Sequence, residues 1–509
     1  MKKLPIGIQT FKDIRSDDYI YIDKTEIALD IVKSYRYVFL SRPRRFGKSL
    51  FLDTLRNIFE GKKELFKGLA IYDKWNWEET YPVIKISFKG SLHGKEEIEE
   101  RIRGILRNNE EDLDVKCNEK VAVYEFFAEL IKKASQRYNQ KVVILIDEYD
   151  KAILDNIEDL KKAEEARDVL RAFYSVIKDS DEYIRFAFLT GVTRFSKASI
   201  FSGLNMLTDI TLDERYGNVC GYTQKDLEES FKEYLNKING DLEKIKEWYN
   251  GYYFLKDKLY NPFDILQFFD KNGLFDNYWF ETGTPTFLIK LIKERNYFLP
   301  ALSNLKVDKK LLSSFDIENL DLEVILFQSG YLTIDEMIVD EDGDIAYKLK
   351  LPNREVKSSL HRFIVDYLYG DRSLRYKDLS KALKGRDMES FKVNLTSLFA
   401  SIPYNNFVKN NIAEYEGFYA SVLYAYLQSL GFDIEGEDVT NQGRIDLAVK
   451  LPDVIYLFEF KVIDEEPLRQ MKEKGYYQKY LSSGRDIYLV GIVFDREKRN
   501  IKNFIWERI

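Results

Sequence analysis

Cysteine and histidine are nearly absent from this chain: its 509 residues include two of each. Cys117 and Cys220 cannot build a disulfide framework, so a reducing, cytoplasmic setting is expected. His93 and His361 stand far apart in sequence, which argues against a histidine-rich zinc site and makes each a surface or satisfied core residue. No apolar run reaches the length of a membrane span, and the N-terminal Met1-Lys-Lys-Leu-Pro-Ile-Gly7 lacks the apolar core of a signal peptide. Basic excess is missing too. Net charge is −7, whereas a protein that coats duplex DNA carries a basic stripe. Contact with nucleic acid is therefore local, or made with help from metal ions. Low-complexity linkers and convincing repeats are also lacking. What remains is 45% hydrophobic and 32% charged, a globular composition on a chain long enough for about three domains.

The chain is organised around Tyr37-Val-Phe-Leu-Ser-Arg-Pro-Arg-Arg-Phe-Gly-Lys-Ser49. A short apolar run reads as a buried strand, a basic turn follows, and Gly47-Lys48-Ser49 opens an amphipathic helix through about Phe59. Strand, turn, Gly-Lys-Ser and helix form the layout of a phosphate-binding loop, with backbone N–H groups facing an anion. Lys48 would reach the terminal phosphates of ATP and Ser49 would hold a magnesium ion. Arg42 stands where the usual pattern has its first glycine, and Pro43 removes one N–H. The loop is thus expected to take another shape, with arginines such as Arg44 and Arg45 taking over backbone contacts. The structural alternative is a basic helix cap with no nucleotide.

Residues 1–36 form a lead-in with helical spacing at 27–32. Val83-Ile-Lys-Ile-Ser-Phe88 reads as a second strand, followed by helices near 96–106 and 122–134. The five apolar residues 142–146 suit a central strand covered on both faces. That strand delivers Asp147 and Glu148 at its C-terminal end, where ligands bind in open α/β sheets. Asp147 would bind magnesium and Glu148 would polarise the attacking water; a strand ending in acids at an exposed loop is the alternative. Ile184-Arg-Phe-Ala-Phe-Leu-Thr190 then leads to Thr193 and Arg194, where a polar group could sense the terminal phosphate. Residues 205–210 are expected to add the last strand of a parallel sheet with right-handed crossovers.

From about Tyr216 the pattern turns mostly helical, with Thr223 as an N-cap. Aromatic-rich turns interrupt it at Trp248-Tyr-Asn-Gly-Tyr-Tyr-Phe254, Tyr260-Asn-Pro-Phe263 and Tyr278-Trp-Phe-Glu-Thr-Gly283. They read chiefly as packing, with base stacking as the alternative. Phe327-Gln-Ser-Gly-Tyr-Leu-Thr333 and Ala346-Tyr-Lys-Leu-Lys-Leu351 suggest a small β element, and Pro352 starts another helix.

A second constellation lies near the C-terminus. A helix from Ala413 carries Glu416 near its start. Gly443-Arg-Ile-Asp-Leu-Ala-Val449 is a strand carrying Asp446. Val454-Ile-Tyr-Leu-Phe-Glu-Phe-Lys461 is a strand that places Glu459 and Lys461 on one face, since strand side chains alternate. Asp446 and Glu459 could share one or two magnesium ions, with Lys461 orienting the nucleophile or neutralising the transition state and Glu416 completing the shell. Gln470, Tyr477 and Gln478 sit on a following helix that could line the same cleft. A surface hairpin is the alternative, but charged groups inside an apolar strand are expensive without a partner.

These residues together resemble a widespread bacterial family that joins an AAA-like ATPase domain to a PD-(D/E)xK-type nuclease domain. The resemblance rests on Arg42-Pro-Arg-Arg-Phe-Gly-Lys-Ser49, Leu145-Ile-Asp-Glu-Tyr-Asp150, Leu189-Thr-Gly-Val-Thr-Arg194, the three aromatic turns, Gly443-Arg-Ile-Asp446 and Phe458-Glu-Phe-Lys461. It implies an α/β architecture: a P-loop NTPase parallel sheet in residues 1–215, a mostly helical lid and connecting region with a small β element in 216–400, and a mixed α/β restriction-endonuclease-like domain in 401–509. It also implies ATP bound through Arg44, Arg45, Phe46, Gly47, Lys48, Ser49, Asp147, Thr190 and Arg194. Nuclease acids map onto Asp446 and Glu459, the lysine onto Lys461 and the helix acid onto Glu416. The function expected is an ATP-regulated, magnesium-dependent nuclease acting on nucleic acid, DNA in the first instance, in an assembly that includes homo-oligomers. A non-catalytic nucleotide-controlled switch is the alternative. Arg194, Arg215 or a neighbouring copy would supply an arginine finger.

Overall fold

The computed structural model describes residues 1–194, 206–238, 240–280, 288, 291–292, 297–303, 305–312, 316–318, 321–339, 341–366, 376–402, 416–441, 443–462 and 466–509. Motif positions 195–196, 205, 281–283 and 413–415 lie outside the described residues. The chain folds as two compact units, one of Met1–Trp279 with Asp308–Ile334, the other of Phe280–Val307 with Asp335–Ile509. Residues 216–279, expected to begin a separate middle region, pack within the first unit.

The first unit is built on a five-stranded parallel sheet of β1 (Tyr37–Ser41), β2 (Val83–Ser87), β3 (Val142–Asp147), β4 (Ile184–Gly191) and β5 (Thr208–Asp209). Its order is β2-β3-β4-β1-β5. Every residue of β3 is buried, as its unbroken apolar run requires of a strand covered on both faces. The covering helices are amphipathic: α1 (Lys48–Phe59), α2 (Lys95–Asp112), α3 (Val123–Tyr138) and α4 (Leu160–Asp179). Thus α2 buries Ile98, Ile102 and Leu106 at four-residue spacing, and Phe127 of α3 stacks on Phe173 of α4 at 4.6 Å. The expected last strand is only two residues long, pairing Thr208 and Asp209 with Val38 and Phe39.

The same unit carries the hairpin β6 (Asn250–Tyr253) and β7 (Lys258–Tyr260), then α5 (Pro262–Asp270) and α6 (Leu322–Ser329). Thr223 caps its helix in a reciprocal capping box with Asp226. Residues 327–329, read as part of a β element, are instead the last turn of α6. Gly330 adopts φ 93° there, and Tyr331 N–H returns to the Leu326 carbonyl at 2.8 Å, a glycine-dependent helix stop.

A small sheet of β8 (Leu305–Asp308), β9 (Thr333–Val339) and β10 (Ile345–Lys350), in the order β8-β10-β9, belongs to the second unit except for Asp308, Thr333 and Ile334. Helix α7 (Arg354–Ile364) follows, capped by the Asn353 side chain. Then come α8 (Tyr376–Lys384), α9 (Met388–Ser401) and α10 (Glu416–Ser429). The main sheet runs β11 (Asp433–Thr440), β12 (Gly443–Lys450), β13 (Val454–Lys461), β14 (Asp486–Asp495) and β15 (Asn500–Arg508) in sequence order. Only β13 and β14 pair in parallel, so the sheet is mixed. Between those two strands runs the crossover α11 (Pro467–Glu473). Helix α10 is buried from Tyr419 through Gln428, as expected for a helix that is apolar all round.

Candidate nucleotide site and candidate metal centre

The basic loop leaves β1 and enters α1 through two residues in left-handed conformation, Arg45 (φ 65°) and Gly47 (φ 95°). Arg42 is not among the positive-φ residues. The sharp turning is therefore done three to five residues later than the missing glycine, and a Cβ at position 42 costs nothing. The Arg42 side chain is 1% exposed. It donates from Nη1 to the carbonyls of Ser41 (2.9 Å) and Thr211 (2.8 Å), and from Nη2 to those of Tyr216 (3.2 Å) and Gly217 (3.3 Å). Its guanidinium also lies 4.0 Å over the Phe254 ring. Arg42 is thus an internal strut, whereas Arg44 and Arg45 are exposed, Arg45 over Phe263 at 5.1 Å.

The aromatic turns brace this loop. Phe46 is fully buried against Tyr252 and Phe254, and its carbonyl accepts from Gly221 N–H. A Cβ at Gly221 would meet Phe46 at 2.8 Å. The Arg44 carbonyl accepts from Trp279 Nε1 (3.1 Å) and Asn261 Nδ2 (3.3 Å). Tyr249, Tyr252 and Tyr260 are buried. Packing, not base stacking, accounts for these rings.

Lys48 is buried and donates from Nζ to the Arg42 and Pro43 carbonyls, both at 2.9 Å. Burial draws its pKa down, against the opposing pull of Asp147, Asp150 and Glu148. Ser49 is half-buried in the first turn of α1. Asp147 ends β3, 4% exposed. Its Oδ1, like Thr190 Oγ1 at the end of β4, has no hydrogen-bond partner among the described residues. Glu148 sits at φ 54°, and burial first, then Asp147, raises its carboxyl pKa.

The other residues at the end of β4 are already engaged. Asp150, whose side-chain role the sequence left unread, accepts through Oδ2 from Val192 N, Thr193 N and Thr193 Oγ1 at 2.9, 2.5 and 2.6 Å. Gly191 makes room for it: a Cβ there would stand 2.6 Å from Asp150 Oδ1. Arg194 is ion-paired with Asp209, and its backbone N–H donates to Gln328. Arg215 is bound to Asp213 and lies against the rings of Tyr35 and Tyr216. Both arginine-finger candidates thus have carboxylate partners inside their own unit.

In the second unit, β12, β13 and α10 bring the predicted acids and lysine together. Asp446 Oδ2 accepts from Phe460 N–H at 2.8 Å. Glu459 Oε1 accepts from Gln470 Nε2 at 2.6 Å and lies 3.3 Å from Lys461 Nζ. Glu459 Oε2 is buried with no partner among the described residues. Lys461 Nζ lies 3.6 Å from Glu416 Oε2. Burial pushes Asp446 up to about 6, against the Phe460 N–H and Lys461. Burial and then Asp446 push Glu459 up to about 8. Burial opposes a charged Lys461, but Glu459, Glu416 and Asp446 outweigh it and hold the pKa high. Of the three residues expected to line the cleft from the following helix, Gln470 reaches the acids. Tyr477 packs against the core cluster and Gln478 is exposed, because Gly475 (φ 56°) breaks the helical period between them.

Both sites fit cations. An unpartnered buried carboxylate oxygen costs about 1–3 kcal/mol unless something completes it, and each site has one. Among the described residues no three His, Cys, Asp or Glu side chains form a metal-binding group. Two carboxylates nevertheless suit magnesium, which keeps several waters and shares substrate phosphates.

The motif matches extend to the family level. A model described as predicted AAA-ATPase matches residues 5–201, and one described as PD-(D/E)XK nuclease superfamily matches residues 414–504. The chain belongs to the family that joins these two domains. A protein of Azotobacter chroococcum mcd 1, described as an uncharacterized protein in the vnfD 5' region, is 45% identical over 517 residues, covering 100% of this chain and 99% of that one. Among the described residues no helix is long and apolar enough to cross a membrane.

Proposed function

We propose that the protein is an ATP-regulated, magnesium-dependent nuclease that hydrolyses nucleic acid phosphodiesters, DNA in the first instance, in the cytoplasm. The observation that carries this reading is the convergence of Asp446, Glu459 and Lys461 with Glu459 Oε2 left open. Asp446 and Glu459 would hold the metal; when bound, it supplies Lewis-acid charge to the scissile phosphate. Lys461, kept charged by Glu416 and Glu459, would neutralise an equatorial phosphate oxygen as water adds to phosphorus and the ester oxygen leaves. Gln470 fixes the Glu459 carboxylate in rotation.

In the other domain, Gly47, Lys48 and Ser49 would cradle the phosphates of ATP with a magnesium ion. Lys48 would exchange the Arg42 and Pro43 carbonyls for phosphate oxygens. Asp147 and Thr190 would meet that ion and the terminal phosphate through their open oxygens, with Glu148 as the group that polarises water. Arg44 and Arg45 would border the nucleotide, while Phe46, expected there from the sequence, is fully buried and holds the loop from inside. Arg194 would join only by leaving Asp209. Association of copies would bring in a neighbour's arginine.

The test uses plasmid and single-stranded DNA and RNA with magnesium. Glu459→Ala is expected to abolish cleavage while ATP binding, read by calorimetry, is retained. Lys48→Ala is expected to lose ATP binding. Cleavage unchanged in Glu459→Ala would end the nuclease assignment. ATP binding by a chain that cleaves nothing would favour the non-catalytic switch.

A further inference from the structure

At Trp279–Phe280, one of the three places where the chain passes between the units, contacts run on one side to the loop that would hold nucleotide and on the other to the helices leading to Glu416. On the loop side stands Trp279, 5% exposed, whose indole N–H donates to the Arg44 carbonyl at 3.1 Å. An indole has one donor and no acceptor, so this bond is its whole polar capacity. The ring packs on Tyr331 at 5.3 Å and Tyr252 at 6.4 Å. Gly330 closes the cluster: a Cβ there would stand 2.7 Å from Pro43 Cβ and 3.4 Å from the indole. Two successive loop residues, Pro43 and Arg44, are thus held by the same packed group.

Trp279 ends the first segment of the first unit, and Phe280 opens the second unit. The Phe280 N–H donates to Glu355 Oε1 at 3.3 Å in a buried setting. Glu355 is fully buried in the first turn of α7. Helix α7 packs along α10, with His361 edge-on to Tyr424 at 5.2 Å. Helix α10 begins at Glu416, the carboxylate against Lys461. Each contact lies within one unit, and the peptide bond between Trp279 and Phe280, one of three at which the chain passes between the units, joins the two sets.

We infer that Trp279 and Glu355 are positioning residues that tie the shape of the nucleotide loop to the placement of Glu416 and Lys461. The inference rests on the nuclease reading above and adds the route by which nucleotide would regulate it. Taking up phosphates requires Lys48 to release the Arg42 and Pro43 carbonyls, which changes the setting of the very segment that Trp279 grips. The indole then follows the Arg44 carbonyl or is left with a buried, unpaired N–H, and either outcome acts on the adjoining Phe280. A ligand shifts such a linkage only through its preference for one arrangement.

The test uses the full chain. Cleavage of plasmid DNA with magnesium is measured with and without a non-hydrolysable ATP analogue, and analogue binding is measured by calorimetry. The wild type is expected to change its cleavage rate by about fivefold or more on binding. Trp279→Phe keeps the ring and removes the donor. It is expected to bind the analogue within about threefold of wild type while its response falls below about twofold. Glu355→Ala is expected to lose the response and Glu355→Gln, which keeps an acceptor oxygen, to retain it, so the route is tested in either unit. Tryptophan emission lost in Trp279→Phe is expected to be the component that shifts when the wild type binds the analogue. A wild-type response preserved in both Trp279→Phe and Glu355→Ala overturns the inference. So does a wild type that binds the analogue and cleaves at a rate indifferent to it, an outcome that leaves the nuclease reading standing. Absence of cleavage under every condition removes that reading and the inference together.

Discussion

Replacing Arg42 by glycine restores the ordinary phosphate-loop pattern, and motif logic alone would have it improve nucleotide binding. The geometry demands the reverse. Arg42 makes four bonds to carbonyls, two at 2.8–2.9 Å and two at 3.2–3.3 Å. At about 2 kcal/mol for each short bond and about 1 for each long one, the set is worth roughly 6 kcal/mol. Opposing it is the loss of hydration. Burial pulls the guanidinium down to about 10, leaving it charged at neutral pH, a shift equivalent to roughly 3 kcal/mol. The net is about 3 kcal/mol, and the space vacated beside Phe254 adds about 1–2 more. Arg42→Gly is therefore expected to lose about 4–5 kcal/mol from the first unit and to bind ATP at least about tenfold more weakly as the loop slackens. Thermal unfolding and calorimetry read the two effects. A variant as stable as the wild type, or one that binds ATP more tightly, would refute the assignment of Arg42 as a strut.

Two further perturbations test the second unit. Glu459 is 3% exposed and pushed from 4.5 to about 8 by burial and Asp446. Its folded pKa lies above its unfolded value, so its stabilising protonated form is fully present below pH 4.5 and is lost as pH rises through about 8. Metal-free Glu459→Gln is accordingly expected to match the wild type in acid and exceed it by about 2–5 kcal/mol near pH 9, while magnesium raises the Tm of the wild type alone; urea titrations in chelator at the two pH values decide it. His361, fully buried, bonds the Lys357 carbonyl through Nδ1 at 2.7 Å and is pulled from 6.5 to about 4 by burial. There the unfolded chain binds more protons, so stability falls as pH drops from 6.5 toward 4, by roughly 3 kcal/mol over the window. His361→Phe is expected to flatten that part of the acid slope; equal slopes in the two proteins would contradict it.

The parallel sheet was legible because a strand covered on both faces has to be apolar throughout, and residues 142–146 are. The acid centre was legible for a related reason: a Glu and a Lys two residues apart in an apolar strand share a face and need partners. What stayed hidden depends on pairs distant in sequence. Thr193 and Arg194 look like phosphate sensors locally, but Asp150 and Asp209 take them, leaving Thr190 as the hydroxyl without a partner among the described residues. Arg42 read only as a departure from the motif, because a motif position reports residue chemistry and not the backbone angle it replaces. The angle moved to Arg45 and Gly47. Tyr477 and Gln478 were placed on the cleft by a helical period that Gly475 interrupts.

The aromatic turns acquire their meaning from the same shift. A phosphate loop with a glycine at its first position holds its own shape by folding tightly on itself. This loop has a proline and a buried arginine there instead, so its shape has to be imposed from outside. The Asn261 and Trp279 donors, the Gly221 N–H and the Pro43–Gly330 contact supply that constraint from four separate segments of the first unit. A loop held by outside groups cannot change without moving them. One of those groups, Trp279, is a residue at which the chain passes into the unit that holds the acid centre. The departure from the ordinary pattern and the opportunity for regulation are then the same structural fact, since a self-supporting loop would have no need of Trp279 and no means of addressing it.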